Sequence, residues 1–490
     1  MSLLTQRKEN YSKWFSNLIE RADLAEISGV RGCMIIKEYG FSIWEKMQKI
    51  LDSLFKNTGH KNVYFPLFIP KSYISKEANY ANGFSKECAI ISHYRLKYSP
   101  KGIIVDSSSK LDEELIIRPS SEPIIWYSYK RWIQSYRDLP ILLNQWSNVV
   151  RWEMRPRLFL RTSEFLWQEG HTAHISCDEA ITETERILEI FADFSEKIMA
   201  IPIIQGYKSP LERFAGAKQT YSIEAMMQDG KSLQVGTSHF LGQNISKAFN
   251  VKFTDKFGNI EYVWATSWGC STRLIGAMIM THSDDYGLIL PPKIAPLQIV
   301  IIPIFINKIQ LEVIEKVIFP LTIALERQGI LVKYDNRDRH NWVWKLNEYE
   351  IKGIPLRIIV GQKEIENRKV ELFRRDTMKK NMLSQKELVN NISELLEEIQ
   401  KNMLQKALIR RNYLTTSVDN YDDFKEIVNK KGGFLFAFWD GSVESEEKIK
   451  KETTASIRCI PYTINSLTEK GICIYSGKPS FQRVFFAKSY

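Results

Sequence analysis

The chain has 490 residues, too many for one hydrophobic core, and at roughly 100–200 residues per domain it should hold two or three domains. Its 68 basic and 57 acidic residues leave a formal charge of +11, which favours polyanionic partners without naming one. Six scattered cysteines with no CxxC pair exclude a secreted disulfide framework and read as free thiols in a reducing compartment, while the lack of any run of about 18 apolar residues excludes a membrane span.

The opening MSLLTQRKENYSKW carries Glu9 and no signal-peptide pattern, so the cytoplasm is the expected location. Residues 10–290 mix short apolar runs (63–68, 115–117, 141–143) with amphipathic stretches such as 43–55, which predicts an α+β body over 1–290. The proline-rich GLILPPKIAP at 287–296 removes backbone donors and restricts each preceding residue, so a boundary is expected there. Beyond it, a β-branched run at 298–304, helical spacing at 309–328 and further strands at 331–334, 356–360 and 370–373 predict a small α/β domain over 296–403. Ser384 opens its closing helix, with Glu387 as capping-box partner and Leu388, Ile392, Leu395, Leu396 and Ile399 as a core-facing stripe. A basic stretch with Lys406, Arg410 and Arg411 leads into a last α+β module, 404–490, which contains Gly432 and Gly433.

Chemistry concentrates in VVRWEMRPRLFLRTSEFLWQEGHTAH at 149–174. Arg151 and Glu153, two apart, are expected on one strand face, Arg155, Pro156 and Arg157 in a loop, and Arg161 with Thr162 on the returning arm, giving a hairpin with cations on both arms. The stretch resembles the second signature motif of class II aminoacyl-tRNA synthetases, in the form shared by prolyl-tRNA synthetases of archaeal and eukaryotic type. That resemblance implies a class II antiparallel sheet in the first domain and a site that joins a carboxylate to the α-phosphate of ATP. Such a reaction needs cations to neutralise several negative charges while both reactants are held in line. By family position Arg151 bridges the α-phosphate and the amino-acid carboxylate, Glu153, Arg161 and Thr162 hold ATP, and the loop 155–158 faces the acceptor stem of the tRNA.

Other stretches extend the resemblance over nearly the whole chain. GHKNVYFP at 59–66, after RGCM at 31–34 and an amphipathic helix, is similar to motif 1, which implies a homodimer. TSWGCSTRLIG at 266–276 is similar to motif 3, with Arg273 at the γ-phosphate and Ser271 beside the nucleotide. RPSSE at 118–122 resembles the RPTSE segment that binds the imino nitrogen, so Ser120 and Glu122 are expected there; serine in place of threonine keeps the hydroxyl and loses a methyl. QVGTSHFLGQN at 234–244 resembles the LQxGTSH segment, implying that Gln234 and Thr237 face nucleotide and metal and that His239 borders the proline ring. Phe84, Trp167 and Phe214 would wall an apolar box for that ring. Magnesium is expected to enter with ATP, held mainly by phosphates with help from Glu153 or Gln234. His171 and His174 lack further ligands at suitable spacing for zinc and are expected to be structural.

In the α/β domain, EIKGIPLR at 350–357 resembles the anticodon-binding signature, with Glu350 and Arg357 able to read guanine edges and Lys379 adding a contact. The ending FFAKSY is similar to the terminal tyrosine of archaeal-type prolyl enzymes. Where those modules carry four zinc-binding cysteines, this sequence has Asp440, Ser445, Cys473 and Ser476, and one thiolate cannot close a tetrahedral site, so no zinc is expected. The resemblance implies attachment of proline to tRNA(Pro) through prolyl-adenylate, with no membrane or DNA partner. About a hundred residues between motifs 2 and 3 leave no room for an inserted editing domain, so some mischarging with alanine is expected. The competing readings are a synthetase for another small amino acid, such as threonine, and a non-catalytic RNA-binding paralogue. The LQxGTSH-like segment opposes the first, and retention of Arg151, Glu153 and Arg273 opposes the second.

Overall fold

The computed structural model describes residues 4–78, 87–461 and 470–490. Six antiparallel strands form its centre, in the order Ile203–Tyr207, Gln219–Met226, Ser232–Gly242, Trp264–Ser271, Glu164–His174 and Ile141–Val150. Lys61–Asn62 joins parallel to the last of these. The helix Cys177–Asp193, started by the Ser176 hydroxyl accepting from Glu179 N, packs against this sheet through Ile187, Leu188 and Phe191. The helix Glu38–Asn57 buries Ile43, Trp44, Met47, Leu51 and Phe55, the three-and-four spacing of one apolar face, into the same core. Residues 163–265 are used by this sheet, its helices and the small hairpin Lys252–Thr254 with Ile260–Tyr262, so no inserted domain separates motifs 2 and 3.

The second domain is a mixed sheet ordered Val332–Tyr334, Ile299–Ile304, Leu356–Gly361, Lys369–Arg374 and Lys379–Ser384, parallel across the first three strands and antiparallel thereafter. Lys379–Ser384 was not expected as a strand: its sequence KKNMLS has no β-branched run, and it lies as a mostly exposed edge. Ser384 and Glu387 form the expected capping box. The helix they begin, Gln385–Tyr413, runs unbroken for 29 residues, past the boundary expected at 403/404.

The last module adds strands Thr415–Ser417, Phe434–Phe438, Arg483–Ala487 and Ser456–Pro461. Ser456–Pro461 hydrogen-bonds to the edge strand Ile203–Tyr207, with Gly206 opposite Pro461 and Tyr207 opposite Ile460, so one eleven-stranded sheet runs through the first and third domains. Glycine is required at 206 because a Cβ there would lie 2.1 Å from the Ile460 carbonyl oxygen. The architecture is therefore an α+β body with a class II antiparallel sheet, an α/β domain and a small α+β domain, as expected.

Candidate active site

A cavity of about 440 Å³ opens on the face of the central sheet, at the scale of small-molecule sites. The expected hairpin frames it in altered form. Its strands end at Val150 and restart at Glu164, so Arg151, Glu153, Arg161 and Thr162 lie in the connection and not on strand faces. The reason is local. Pro156 supplies no N–H, Arg155 N turns back onto a Glu153 carboxylate oxygen at 2.8 Å, and Phe159 takes the left-handed conformation, φ 59°. Arg151 N still donates to Ser163 O at 2.8 Å, which holds the arginine at the cavity mouth.

One end of the cavity is acidic. Glu122 is the first residue of the helix Glu122–Trp132, where the helix dipole favours a carboxylate, and it is buried. The Ser120 hydroxyl accepts from Glu122 N at 3.1 Å and reaches Glu169 at 3.3 Å. Glu169 also takes hydrogen bonds from Ser121 N, the Gln145 amide and His171. Burial alone would raise its carboxyl, but the His171 and Ser121 bonds outweigh this and hold it below the usual carboxylate range. Beside this end Phe214 stacks on His239, centroids 4.4 Å apart and rings 29° from parallel. Burial, and then neighbouring His171, push His239 down to about 3, so it is a neutral, ring-stacked wall at pH 7. Trp167 closes the box, and its buried indole N–H has no partner among the described residues.

The other end is cationic. Arg151 donates from Nε to Pro119 O at 2.9 Å, with its guanidinium 5.0 Å from the Trp167 ring, and Arg273, first residue of the helix Arg273–His282, donates to Leu160 O at 3.2 Å. Burial lowers Arg273, and repulsion from Arg151 and Arg161 adds to it. Burial lowers Arg151 as well, against the attraction of Glu169 and Glu122. A buried arginine repelled by two others, as Arg273 is, is relieved by a polyanion. Gln234, Thr237 and Ser271 line the same cavity. Plain alternation would put Gln234 and Thr237, three apart, on opposite faces. A bulge in Ser232–Gly242, where Ile223 faces Gly236 but Glu224 faces Gln234, returns both to one side.

Several expected residues lie elsewhere. Glu153, Arg161 and Thr162 are in the 151–163 connection and outside the cavity lining. Phe84 lies outside the described residues. In the second domain Arg357 is buried, 3.5 Å from Glu350 and 4.2 Å from the Phe373 ring centroid, whereas Lys379 is exposed at the start of its edge strand. In the last module the Asp440 carboxylate accepts from Ser442 and Ser445 hydroxyls at 2.8 and 2.7 Å and from Ser476 at 2.7 Å. His174 bonds Thr172 and is structural in its contacts, but His171 lines the cavity. The sequence reading also missed Phe165, Glu169, Glu212 and Thr220 as lining residues. Positions 165, 167, 169 and 171 follow from strand period two around Trp167; Glu212 carries no such signal.

Residues 103–282 match the family described as "tRNA synthetase class II core domain (G, H, P, S and T)", 298–395 "Anticodon binding domain" and 421–490 "Prolyl-tRNA synthetase, C-terminal". The chain is 59% identical to the proline–tRNA ligase of Cytophaga hutchinsonii over 490 residues, covering 100% of this chain and 99% of the relative. It is 59% identical to that of Porphyromonas gingivalis over 489 residues, covering 99% of each. A crystal structure of prolyl-tRNA synthetase from Cryptosporidium parvum, complexed with L-proline and AMP, superposes with a TM-score of 0.91 at 38% identity, covering 100% of this chain and 97% of that one. The same enzyme has been solved with halofuginone and AMPPNP, at the same TM-score and identity. These curated relatives are bacterial, so the expectation of an archaeal or eukaryotic type is not borne out.

Proposed function

Since the chain belongs to the prolyl-tRNA synthetases of class II and attaches proline to tRNA at the expense of ATP, we propose that its acidic end holds proline and its cationic end the triphosphate. The observation that carries this division is a single cavity lined by Glu122, Glu169, Arg151 and Arg273, in which the two carboxylates attract Arg151 while Arg151 and Arg161 repel Arg273. Glu122 accepts from the positively charged imino nitrogen, with Ser120 beside it. Phe214, neutral His239 and Trp167 form the apolar box, and the Trp167 N–H, unpartnered among the described residues, suits an anionic acceptor. Arg151, set between the two ends, holds the carboxylate against the α-phosphate. Arg273 and Ser271 take the outer phosphates, and Gln234 and Thr237 the nucleotide side. Positioning and charge neutralisation then favour attack of the carboxylate oxygen on the α-phosphorus, with pyrophosphate leaving. The ribose 3′-hydroxyl of the terminal adenosine of tRNA then attacks the prolyl carbonyl carbon of the adenylate, forming the ester and losing its proton as AMP leaves.

Magnesium fits this site through Gln234, whose amide lies on the cavity wall, because the ion binds mainly through phosphates and needs only one or two protein oxygens. It would supply charge neutralisation at the phosphates. Glu153 has one oxygen engaged by Arg155 N, and with Arg161 and Thr162 would reach ATP by movement of the 151–163 connection. Zinc does not fit the last module: the Asp440 carboxylate is already satisfied by serine hydroxyls, and those serines cannot supply thiolates. Glu350, Arg357 and Lys379 are assigned to the anticodon, the part-buried Glu350–Arg357 pair offering both an acceptor and donors at one place. The reading further includes a homodimer through motif 1, where Tyr64 is exposed, a cytoplasmic location, RNA and not DNA as partner, and domains at 1–290, 296–403 and 404–490.

Alanine lacks ring methylenes, each worth only ~1–3 kcal/mol of discrimination, so slow alanine-dependent exchange is expected as well. Proline-dependent exchange of pyrophosphate into ATP tests the division of the cavity. Glu122→Gln should raise the KM for proline about tenfold or more and leave that for ATP within about twofold, and Arg273→Ala should do the reverse, the scale of one charged hydrogen bond. Equal movement of both constants in both variants would overturn the assignment.

A further inference from the structure

The cavity wall that carries Phe214 is a loop, residues 208–218, between the strands Ile203–Tyr207 and Gln219–Met226. Its first half is held by the third domain. The buried Lys208 ammonium donates to the Arg458 carbonyl at 2.9 Å and to Glu224 at 2.6 Å. The Ser209 hydroxyl donates to Glu446 at 2.6 Å. Glu212 receives Lys450 at 2.7 Å and lies 3.6 Å from the Arg458 guanidinium, which is itself pinned to Glu224. Glu212, Phe214 and Ala215 line the cavity, so the side chain gripped from outside is two residues from the ring that stacks on His239. The third domain has a separate attachment, since its strand Ser456–Pro461 pairs with Ile203–Tyr207.

We propose that the third domain sets proline affinity by clamping the 208–218 loop, with Glu212 as the positioning residue and Lys450 and Arg458 as the groups that hold it. The proposal rests on the reading of Phe214 and His239 as the proline wall. Glu212 acts through the loop: with its two cations in place the loop backbone is fixed and Phe214 is presented to His239 before proline arrives. Without them the ordering must be supplied by binding, which weakens proline and leaves the nucleotide end, built from Arg273, Gln234 and Thr237, as it was.

The test uses the full-length protein in pyrophosphate exchange, with KM for proline, KM for ATP and kcat measured separately. Lys450 is half-exposed, so Lys450→Ala should fold normally. It should raise proline KM about fivefold, the scale of a partly buried ion pair, with ATP KM and kcat within about twofold. Lys450→Arg should restore the wild-type value, and Lys450→Ala should add nothing in a Glu212→Gln background. Phe214→Ala is the control for the underlying reading. If it leaves proline KM unchanged, the wall assignment fails and the clamp with it. If it raises proline KM while Lys450→Ala and Glu212→Gln do not, the wall stands and the clamp is wrong. A parallel rise in both KM values for Lys450→Ala would also overturn the clamp, since that is the mark of general loosening.

Discussion

Arg151 faces both halves of the reaction. Its Nε is spent on Pro119 O, its face lies over Trp167, and Glu169 and Glu122 are the carboxylates that favour its charge. Arg151→Ala removes the group shared by both substrates and leaves those carboxylates without their cation. Loss of a positioned charge at the reacting centre predicts a fall in proline-dependent exchange of about a thousandfold, with the protein still folded but its melting temperature lowered, because Glu122 and Glu169 stay buried without their cation. Near-normal exchange from folded protein would refute its role. At this scale the sequence was most informative where chemistry dictates residue type: Glu122, Arg151, Thr237, His239 and Arg273 all reach the cavity. Glu169 was legible through strand alternation but passed over. Glu212 was not legible, because its place beside the cavity depends on cations more than two hundred residues away, and charge by itself cannot announce such a partner.

Between elements, the seam of Ile203–Tyr207 with Ser456–Pro461 decides whether the first and third domains share one sheet. Gly206 sits in it, and an added Cβ would meet the Ile460 oxygen at 2.1 Å and the Cys459 sulfur at 2.5 Å. Backbone cannot yield as a flexible side chain can, so Gly206→Ala should force the strands apart. We expect a loss of roughly 1–3 kcal/mol in denaturant unfolding, the scale of overpacking, and a separate early transition for the third domain. A single transition at the wild-type midpoint would show that the seam accommodates the methyl. The periodic elements were readable: the stripe at 43–55, the capping box at Ser384 and the β-branched strand at 299–304 follow from local spacing. The bulge that aligns Gln234 with Thr237, the exposed edge strand Lys379–Ser384 and the seam itself were not, since each depends on a partner strand and leaves no periodic trace.

For the molecule as a whole, buried titratable groups set opposing dependences on pH. His174, His239 and His282 are pushed down to about 4, 3 and 3, in each case first by burial. A histidine depressed in the folded state stabilises fully above its ordinary value near 6.5 and loses that contribution as pH falls through the folded value. Glu446 has the opposite sign. Burial, then Glu212 and Glu447, push it up to about 7 against Ser209 and Lys450, so its contribution is full below about 4.5 and is lost as pH rises to 7. From pH 7 to pH 5 each histidine loses roughly 2 kcal/mol and Glu446 returns roughly 2, so three histidines outweigh one carboxyl by roughly 3 kcal/mol or more. The protein should therefore melt at lower temperature at pH 5 than at pH 7. Glu446→Gln removes the opposing group: the variant should be more stable than wild type at pH 8, and the advantage should vanish by pH 5, giving it the steeper profile. Thermal unfolding across pH 5–8 tests both signs. A flat wild-type profile would mean that the histidines are not held neutral, and parallel profiles for the two proteins would mean that Glu446 titrates as an ordinary carboxyl.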